Sequence, residues 1–322
     1  MTHALIVFFT ATLGSIVLGM CSRKVMLGRL RMEEPAVYHI SKLMKYSAVF
    51  FTEPLPLINA FWTIELVSAR LLLMVGFSLV YAAVSMTAAV TAAKRSGYDP
   101  STSASYFVSV SFSNFFTFGG LAALLLFGQQ GYALVMLAVV FTPLVNYGYG
   151  YIISHNIARG YKRPFRFSLT AFRRSLIILV PISSIIIGLF LRLTPAEHPP
   201  VLNRITDVLV PLQAALFGFS FGLTLRVSRV RKYARVLASI LVVKYLIVPV
   251  FVLPVFLIAG LYAPMDGMPI FIILLLLFMP VAINALVPPV LYGFDLDLVN
   301  SAWLITTAAL LLIFPVFLFL MH

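Results

Sequence analysis

Ser111-Phe-Ser-Asn114-Phe-Phe-Thr117-Phe-Gly119-Gly120, running on to Phe127-Gly128, interrupts an apolar stretch with glycines and small polar side chains. A second stretch, Met279-Pro280-Val-Ala-Ile-Asn284-Ala-Leu-Val-Pro288-Pro289, is interrupted by prolines and runs on to Tyr292-Gly293. The closing glycines lie 165 positions apart (293 − 128), and each precedes a short polar turn and one more apolar segment. A broken helix in hydrocarbon leaves backbone N–H and C=O groups without partners. Such a break survives only where it is buried in protein or lines a wet cavity. Interruptions at matching places in two halves therefore point to the binding site of a secondary transporter.

Composition sets the broad class. Hydrophobic residues make up 61% of the 322 positions, charged residues 10%, and mean hydropathy is +1.04. A soluble domain carries about 25% charged residues, and it does not repeat ~20-residue apolar spans from end to end. The chain reads as a polytopic membrane protein. Its single Cys21 rules out a disulfide within one chain and reads as a small buried hydrophobe in an apolar helix. The opening MTHALIVFF has neither a basic first segment nor a small-residue cleavage site, and reads as a retained first helix.

Ten spans are expected, at 4–22, 37–60, 69–93, 104–127, 131–156, 173–193, 206–226, 235–262, 268–292 and 298–320. The second is the least regular, with Lys42, Lys45, Glu53, Pro54 and Pro56 inside it. The basic connection 157–172 divides a first five-helix unit, 1–156, from a second, 173–322. The net charge of +13 is distributed by side. The odd-numbered connections and their flanks hold 17 Lys and Arg: Arg23, Lys24, Arg29, Arg31, Lys94, Arg95, Arg159, Lys162, Arg163, Arg166, Arg173, Arg174, Arg226, Arg229, Arg231, Lys232 and Arg235. The even ones hold Arg70, Arg192 and Arg204. The positive-inside rule makes the basic side cytoplasmic and puts both termini outside. The basic loops call for anionic lipid headgroups and not for nucleic acid. Short loops and a compact basic centre point to a prokaryotic inner membrane.

Five spans per half means that two halves of one fold sit in opposite orientations. Phe127-Gly128-Gln-Gln-Gly-Tyr-Ala aligns with Tyr292-Gly293-Phe-Asp-Leu-Asp-Leu at constant offset, in keeping with inverted repeats that alternate access around a midplane site.

Three runs of residues resemble the auxin efflux carrier family, whose superfamily includes bile acid:sodium symporters. They are Asn114 through Phe141, Leu209-Val-Pro211 through Gly218-Phe-Ser-Phe-Gly222-Leu, and Met279-Pro280-Val-Ala through Tyr292-Gly293, followed by Ser301-Ala302 and Pro315. They come in the family's order and the similarity spans nearly the whole chain. The resemblance implies an all-α membrane fold of ten helices in two inverted repeats, with broken, crossing fourth and ninth helices. It also implies carriage of a small organic anion such as a mono- or dicarboxylate or auxin, and a homodimer. Two departures bear on substrate: Phe116 stands where the family has glycine, and Ala122 near where it has proline.

The expected site lies between the two interruptions. Half-helix N-termini there favour a carboxylate. Asn114, Ser111, Ser113 and Thr117 offer hydrogen bonds, Gly119 and Gly120 admit close approach, Pro280 removes a donor, Asn284 supplies an amide, and Pro288-Pro289 bends the helix. The bland alternative is that these groups only satisfy broken backbone. Lys244, deep in the eighth span, costs ~3 kcal/mol at a membrane centre and is a functional candidate. It either meets an anionic substrate or snorkels, being nine residues, about 13 Å, past Arg235. Glu53 is a proton-coupling candidate or a structural partner for a base such as Lys244. Asp207 reads as a helix cap or a partner of Arg204, Gly218-x-x-x-Gly222 as close helix packing, and Tyr147, Tyr149 and Tyr151 as an interfacial belt.

His3, His39, His155, His198 and His322 are scattered, with no metal-binding spacing and no phosphate-binding Gly-x-x-x-x-Gly-Lys. No enzyme, metal site or cofactor is expected. The expected activity is alternating-access transport of an organic anion, with protons or sodium as coupling ion. The alternatives are a sodium symporter of the bile-acid type and a non-transporting sensor that keeps the fold.

Overall fold

Apolar runs of this chain become helices, and those helices stop or loosen where Pro, Gly or Asn interrupts the run. The computed structural model describes residues 2–65, 68–160, 176–225 and 227–320. The calls on 161–172, on Arg173, Arg174 and Arg226, and on the terminal His322 lie outside them. Helices α1 (Thr2–Phe9) and α2 (Ser15–Gly28) are joined through a π-helical turn, Thr10–Gly14. Next come α3 (Glu34–Ser47), a second π turn at Ala48–Thr52, and α4 (Pro54–Thr63). A 3₁₀ segment, Ala69–Gly76, leads into α5 (Phe77–Arg95), then α6 (Pro100–Ser111). A π turn at Phe115–Gly119 opens α7 (Gly120–Ala138), and another at Leu144–Gly150 opens α8 (Tyr151–Ala158).

The second half holds α9 (Leu176–Arg192) and α10 (Val201–Gly222). A 3₁₀ segment at Val227–Tyr233 precedes α11 (Ala234–Val242), a π turn at Val243–Ile247 and α12 (Val248–Ile258). The chain closes with α13 (Met268–Leu277), a 3₁₀ turn at Ile283–Leu286, α14 (Val287–Tyr292) and α15 (Leu296–Leu320). Among the described residues, six helices are long and apolar enough to cross a membrane: His3–Gly28, Ala69–Arg95, Phe115–Ala138, Val201–Gly222, Val230–Ile258 and Leu296–Phe317. They fit a multi-pass membrane protein. Phe115–Ala138 is two pieces, because Gly128 reverses the chain at φ 67°, ψ −157°, a backbone conformation that costs glycine nothing sterically.

Four local expectations are corrected, the first being Cys21, which is exposed and not a buried side chain. Residues 131–156 do not form one helix: the chain leaves it at Val139–Phe141, just before Pro143. Pro288 and Pro289 do not bend a helix. They occupy the first turn of α14, where a missing N–H is harmless. Asp207 lies inside α10, which begins at Val201, and so does not cap it.

The helices sort into two bundles. In one, α2, α3 and α4 pack with α9 and α10; in the other, α5, α6, α8, α11, α12, α13 and α15 pack together, and α7 lies between them, against α4 and α10 on one side and α13 on the other. The first bundle rests on glycine, as the small-residue spacing suggested. A methyl group at Gly222 would overlap the Ile16 carbonyl and come within 2.9 Å of Gly19 Cα; one at Gly218 would overlap Ser15 Oγ. Nearby, the Ser41 and Ser220 hydroxyls each donate to the other's backbone carbonyl, at 2.8 and 2.7 Å.

Helix α6 starts with a cap. Asp99 Oδ1 accepts from the backbone N–H groups of Ser101 (2.9 Å) and Thr102 (3.1 Å). The Thr102 side chain and these N–H groups hold its carboxyl below the usual carboxylate range. A depressed pKa stabilises the fold above the unfolded-state value, and the benefit is lost as pH falls through the folded one. Asp99→Ala is therefore expected to lower stability by about 1 kcal/mol at neutral pH. That gap should close below about pH 4 in thermal denaturation of detergent-solubilised protein.

Candidate functional site

The two interruptions meet. Phe112 is extended and Ser113 and Asn114 continue non-helically between α6 and the Phe115–Gly119 turn, while Phe278–Ala282 runs non-helically between α13 and the Ile283–Leu286 turn. Asn114 N donates to Pro280 O at 2.8 Å, and Ala282 N donates to Phe112 O at 2.9 Å. Ser113 and Val281 thus form an isolated antiparallel bridge between two broken helices. The two bonds are related by a local two-fold through that pair. Each break supplies the other's missing partners, which is what buried backbone requires. Val281 N is satisfied by Thr306 Oγ1 at 3.1 Å. The half-helices that leave the crossing both end on a glycine with positive φ, Gly128 (67°) and Gly293 (73°), the pair aligned in the sequence.

Lys244 stands behind this crossing. It is fully buried in the π turn of the α11–α12 segment, so it does not snorkel. Its ammonium donates to Ser113 Oγ, to Tyr81 OH (3.3 Å) and to Val110 O (3.4 Å). Three donors meet three acceptors, and one acceptor is a carbonyl of the last turn of α6, where helix geometry favours a cation. Glu53 is not its partner: the one ion pair among the described residues joins Arg23 to Glu34 at 2.5 Å.

In front of the crossing lies a cavity of about 540 Å³ between the two bundles. One wall is a single face of the α3 segment, in the order Tyr38, Lys42, Lys45, Val49, Glu53. Exposure along it falls from 54% at Tyr38 to 7% and 8% at Val49 and Glu53, so the cavity opens at the end carrying the basic Arg23–Arg31 connection. The floor is deep. The opposite wall brings Ser113, Asn114, Thr117 and Asn284 together with Thr142 and Asn146. Gln213 and Phe217 of α10 close a further side.

Three buried polar atoms on this wall have no hydrogen-bond partner in the protein: Asn114 Nδ2, Thr142 Oγ1 and Asn284 Oδ1. An unpaired buried polar group costs about 1–3 kcal/mol. The residues that carry these atoms line the cavity, where they meet whatever occupies it. Lys45, half-buried, and Lys42, exposed over the Tyr46 ring at 5.8 Å, add positive charge toward the mouth.

The remaining sequence candidates lie off the cavity. Gly119 and Gly120 serve packing: added methyl groups would come within 2.8 Å of Leu276 Cδ2 and 3.0 Å of Met136 Cε. Pro280 acts through its carbonyl at the crossing. Ser111 is buried behind the crossing with an unpartnered hydroxyl, and Pro288 is part of the α14 first turn. The tyrosine belt is corrected. Only Tyr149 is exposed, whereas Tyr147 lines the cavity and Tyr151 donates to Asn284 O at 3.0 Å. Sequence reasoning passed over Lys45, Thr142, Asn146 and Gln213. A polar residue beside Pro143 was the one visible signal among them.

No protein-family model matches the chain, and no curated protein matches it.

Proposed function

We propose that the chain is a secondary transporter of the auxin-efflux-carrier kind, moving a small organic anion by alternating access. In this reading ten crossings form two inverted five-helix repeats, 1–156 and 173–322, with the basic face cytoplasmic and both termini outside. The observation that carries it is the antiparallel pairing of the two broken helices beside a cavity whose amides are unpaired. Irregular backbone at membrane depth is tolerated where it is buried or lines a wet cavity, and a binding role explains why Asn114 Nδ2 and Asn284 Oδ1 stay unpaired. Lys42 and Lys45, which make no ion pair among the described residues, favour an anion.

The cavity separates the α2–α4, α9, α10 bundle from the bundle that contains the crossing. A rocking or elevator-like displacement of one against the other would turn the site from one face to the other. The sodium-symporter reading is less well supported, because the Lys244 ammonium already engages oxygens of the crossing. The sensor reading loses its main support, since Phe116 lines the cavity without filling it.

The test is uptake of labelled mono- and dicarboxylates into proteoliposomes preloaded with the same acid, with and without a sodium gradient. The expected result is exchange of at least one acid, indifferent to sodium. Dependence on sodium would favour the symporter reading. Absence of exchange by folded, inserted protein would remove the carrier reading. Lys45→Gln is expected to raise the half-saturating anion concentration roughly 10-fold, in line with the loss of one charge-assisted hydrogen bond.

A further inference from the structure

At the end of the molecule opposite the cavity mouth, the bundles are joined by side chains that the binding site does not use. Gln129 and Gln130 follow Gly128 directly, at the tip of the first half-helix that leaves the crossing. Gln129 Nε2 donates to Asp207 Oδ1 at 2.6 Å and to Asn203 O at 3.1 Å, both on α10. Gln129 Oε1 accepts from Asn59 Nδ2 of α4 at 3.3 Å. Gln130 makes a reciprocal pair with the Glu65 backbone, donating to its carbonyl at 3.2 Å and accepting from its N–H at 3.4 Å.

The receiving side is preorganised. Asn59 also donates to Asn203 Oδ1 and Thr206 Oγ1, both at 3.0 Å, and accepts from His198 Nε2 at 2.6 Å. Every one of these receiving groups belongs to the α4–α10 side, and the two glutamines alone belong to α7. Asn59 and Thr206 are fully buried, and Val210 follows Thr206 by one turn of α10 toward Gln213, which lines the cavity. Gln213 is seven residues past Thr206, about 10 Å along the helix.

We infer that Gln129 and Gln130 are the latch of an outer gate. Their amides hold the two bundles together at the far face while the cavity opens at the basic face, and they must release for the site to turn outward. The inference rests on the carrier reading above for its purpose, but its test needs no substrate. Side-chain amides suit the role: neutral hydrogen bonds hold the closed state and exchange for water without stranding a charge.

The probe is a membrane-impermeant cationic methanethiosulfonate reagent. It is applied to either side of oriented vesicles carrying the full chain with Cys21→Ser and a reporter, Phe116→Cys, on the cavity wall. With the latch intact, labelling is expected to be at least tenfold faster from the basic face. Gln129→Glu sets a second carboxylate against Asp207 and is expected to speed labelling from the opposite face about tenfold. Gln129→Lys pairs with Asp207 and is expected to slow it. Opposite effects of the two charges identify a latch, whereas general loosening of the fold would raise labelling in both variants. Equal changes in both, or no change in either, overturn the inference. Failure of anion exchange by the wild-type chain, with these opposite labelling effects intact, would remove the carrier reading and leave the gate standing.

Discussion

Gly222→Ala is expected to lower the melting temperature of the solubilised protein by roughly 10 °C, or to leave no folded protein. The new methyl group would overlap the Ile16 carbonyl and crowd Gly19 Cα and Met20 N, each at 2.9 Å. All three obstacles are backbone, so no rotamer change relieves them, and α2 and α10 must move apart along their whole contact. Overpacking of this kind costs about 1–3 kcal/mol and sometimes more. In a chain of this size each kcal/mol is worth roughly 2–4 °C. Gly28→Ala and Gly76→Ala are the controls: a methyl group at either position meets nothing within 4 Å. Thermal unfolding of the three variants should separate the first from the other two. Equal stability of all three would mean that α2 and α10 do not pack as described.

Lys244→Met is expected to keep the fold and lose transport. Methionine nearly matches the lysine in length and leaves no uncompensated charge. Replacing a buried ion by an apolar side chain of similar volume is often neutral or stabilising. The Tyr81 and Ser113 hydroxyls, 2.6 Å apart, can still pair with each other. What disappears is the positive charge at the end of α6, directly behind Asn114, together with its bond to Val110 O. Charge-assisted hydrogen bonds are worth about 1.5–3 kcal/mol, which corresponds to a roughly 10- to 100-fold fall in exchange rate. Exchange and melting temperature measured on the same preparation decide the matter. Parallel loss of both would make Lys244 a structural residue only.

The sequence made the breaks legible because their causes are local. Asn114, Pro280, Gly128 and Gly293 each constrain their own backbone, and all four mark turns in the structure. The small-residue spacing of Gly218 and Gly222 was legible for the same reason. The antiparallel pairing of Ser113 with Val281 was not, since it joins residues 168 positions apart (281 − 113). Lys244 showed its depth but not its partners, which come from α5 and from the α6 end. Lys45 looked like an irregularity in a span until α10 and α14 stood opposite it across the cavity. The π turn at Ala48–Thr52 lies between Lys45 and Glu53 on this wall, and composition gave no sign of it. Tyr151 misled because aromatic residues near a helix end fit an interfacial belt as well as a buried core, and the crossing decided for the core.

The central claim is that the unpaired amides at the crossing bind the transported anion. Asn114→Ala tests it cleanly, because the backbone bond from Asn114 N to Pro280 O does not involve the side chain. The first measurement is counterflow of labelled mono- and dicarboxylates in proteoliposomes, wild type against Asn114→Ala, with folding of both checked by thermal melting. The account predicts exchange of at least one acid by the wild type, reduced by an order of magnitude or more in the folded variant. Exchange undiminished in Asn114→Ala would contradict a site at the crossing. Exchange of no acid by folded wild type would contradict organic-anion transport itself.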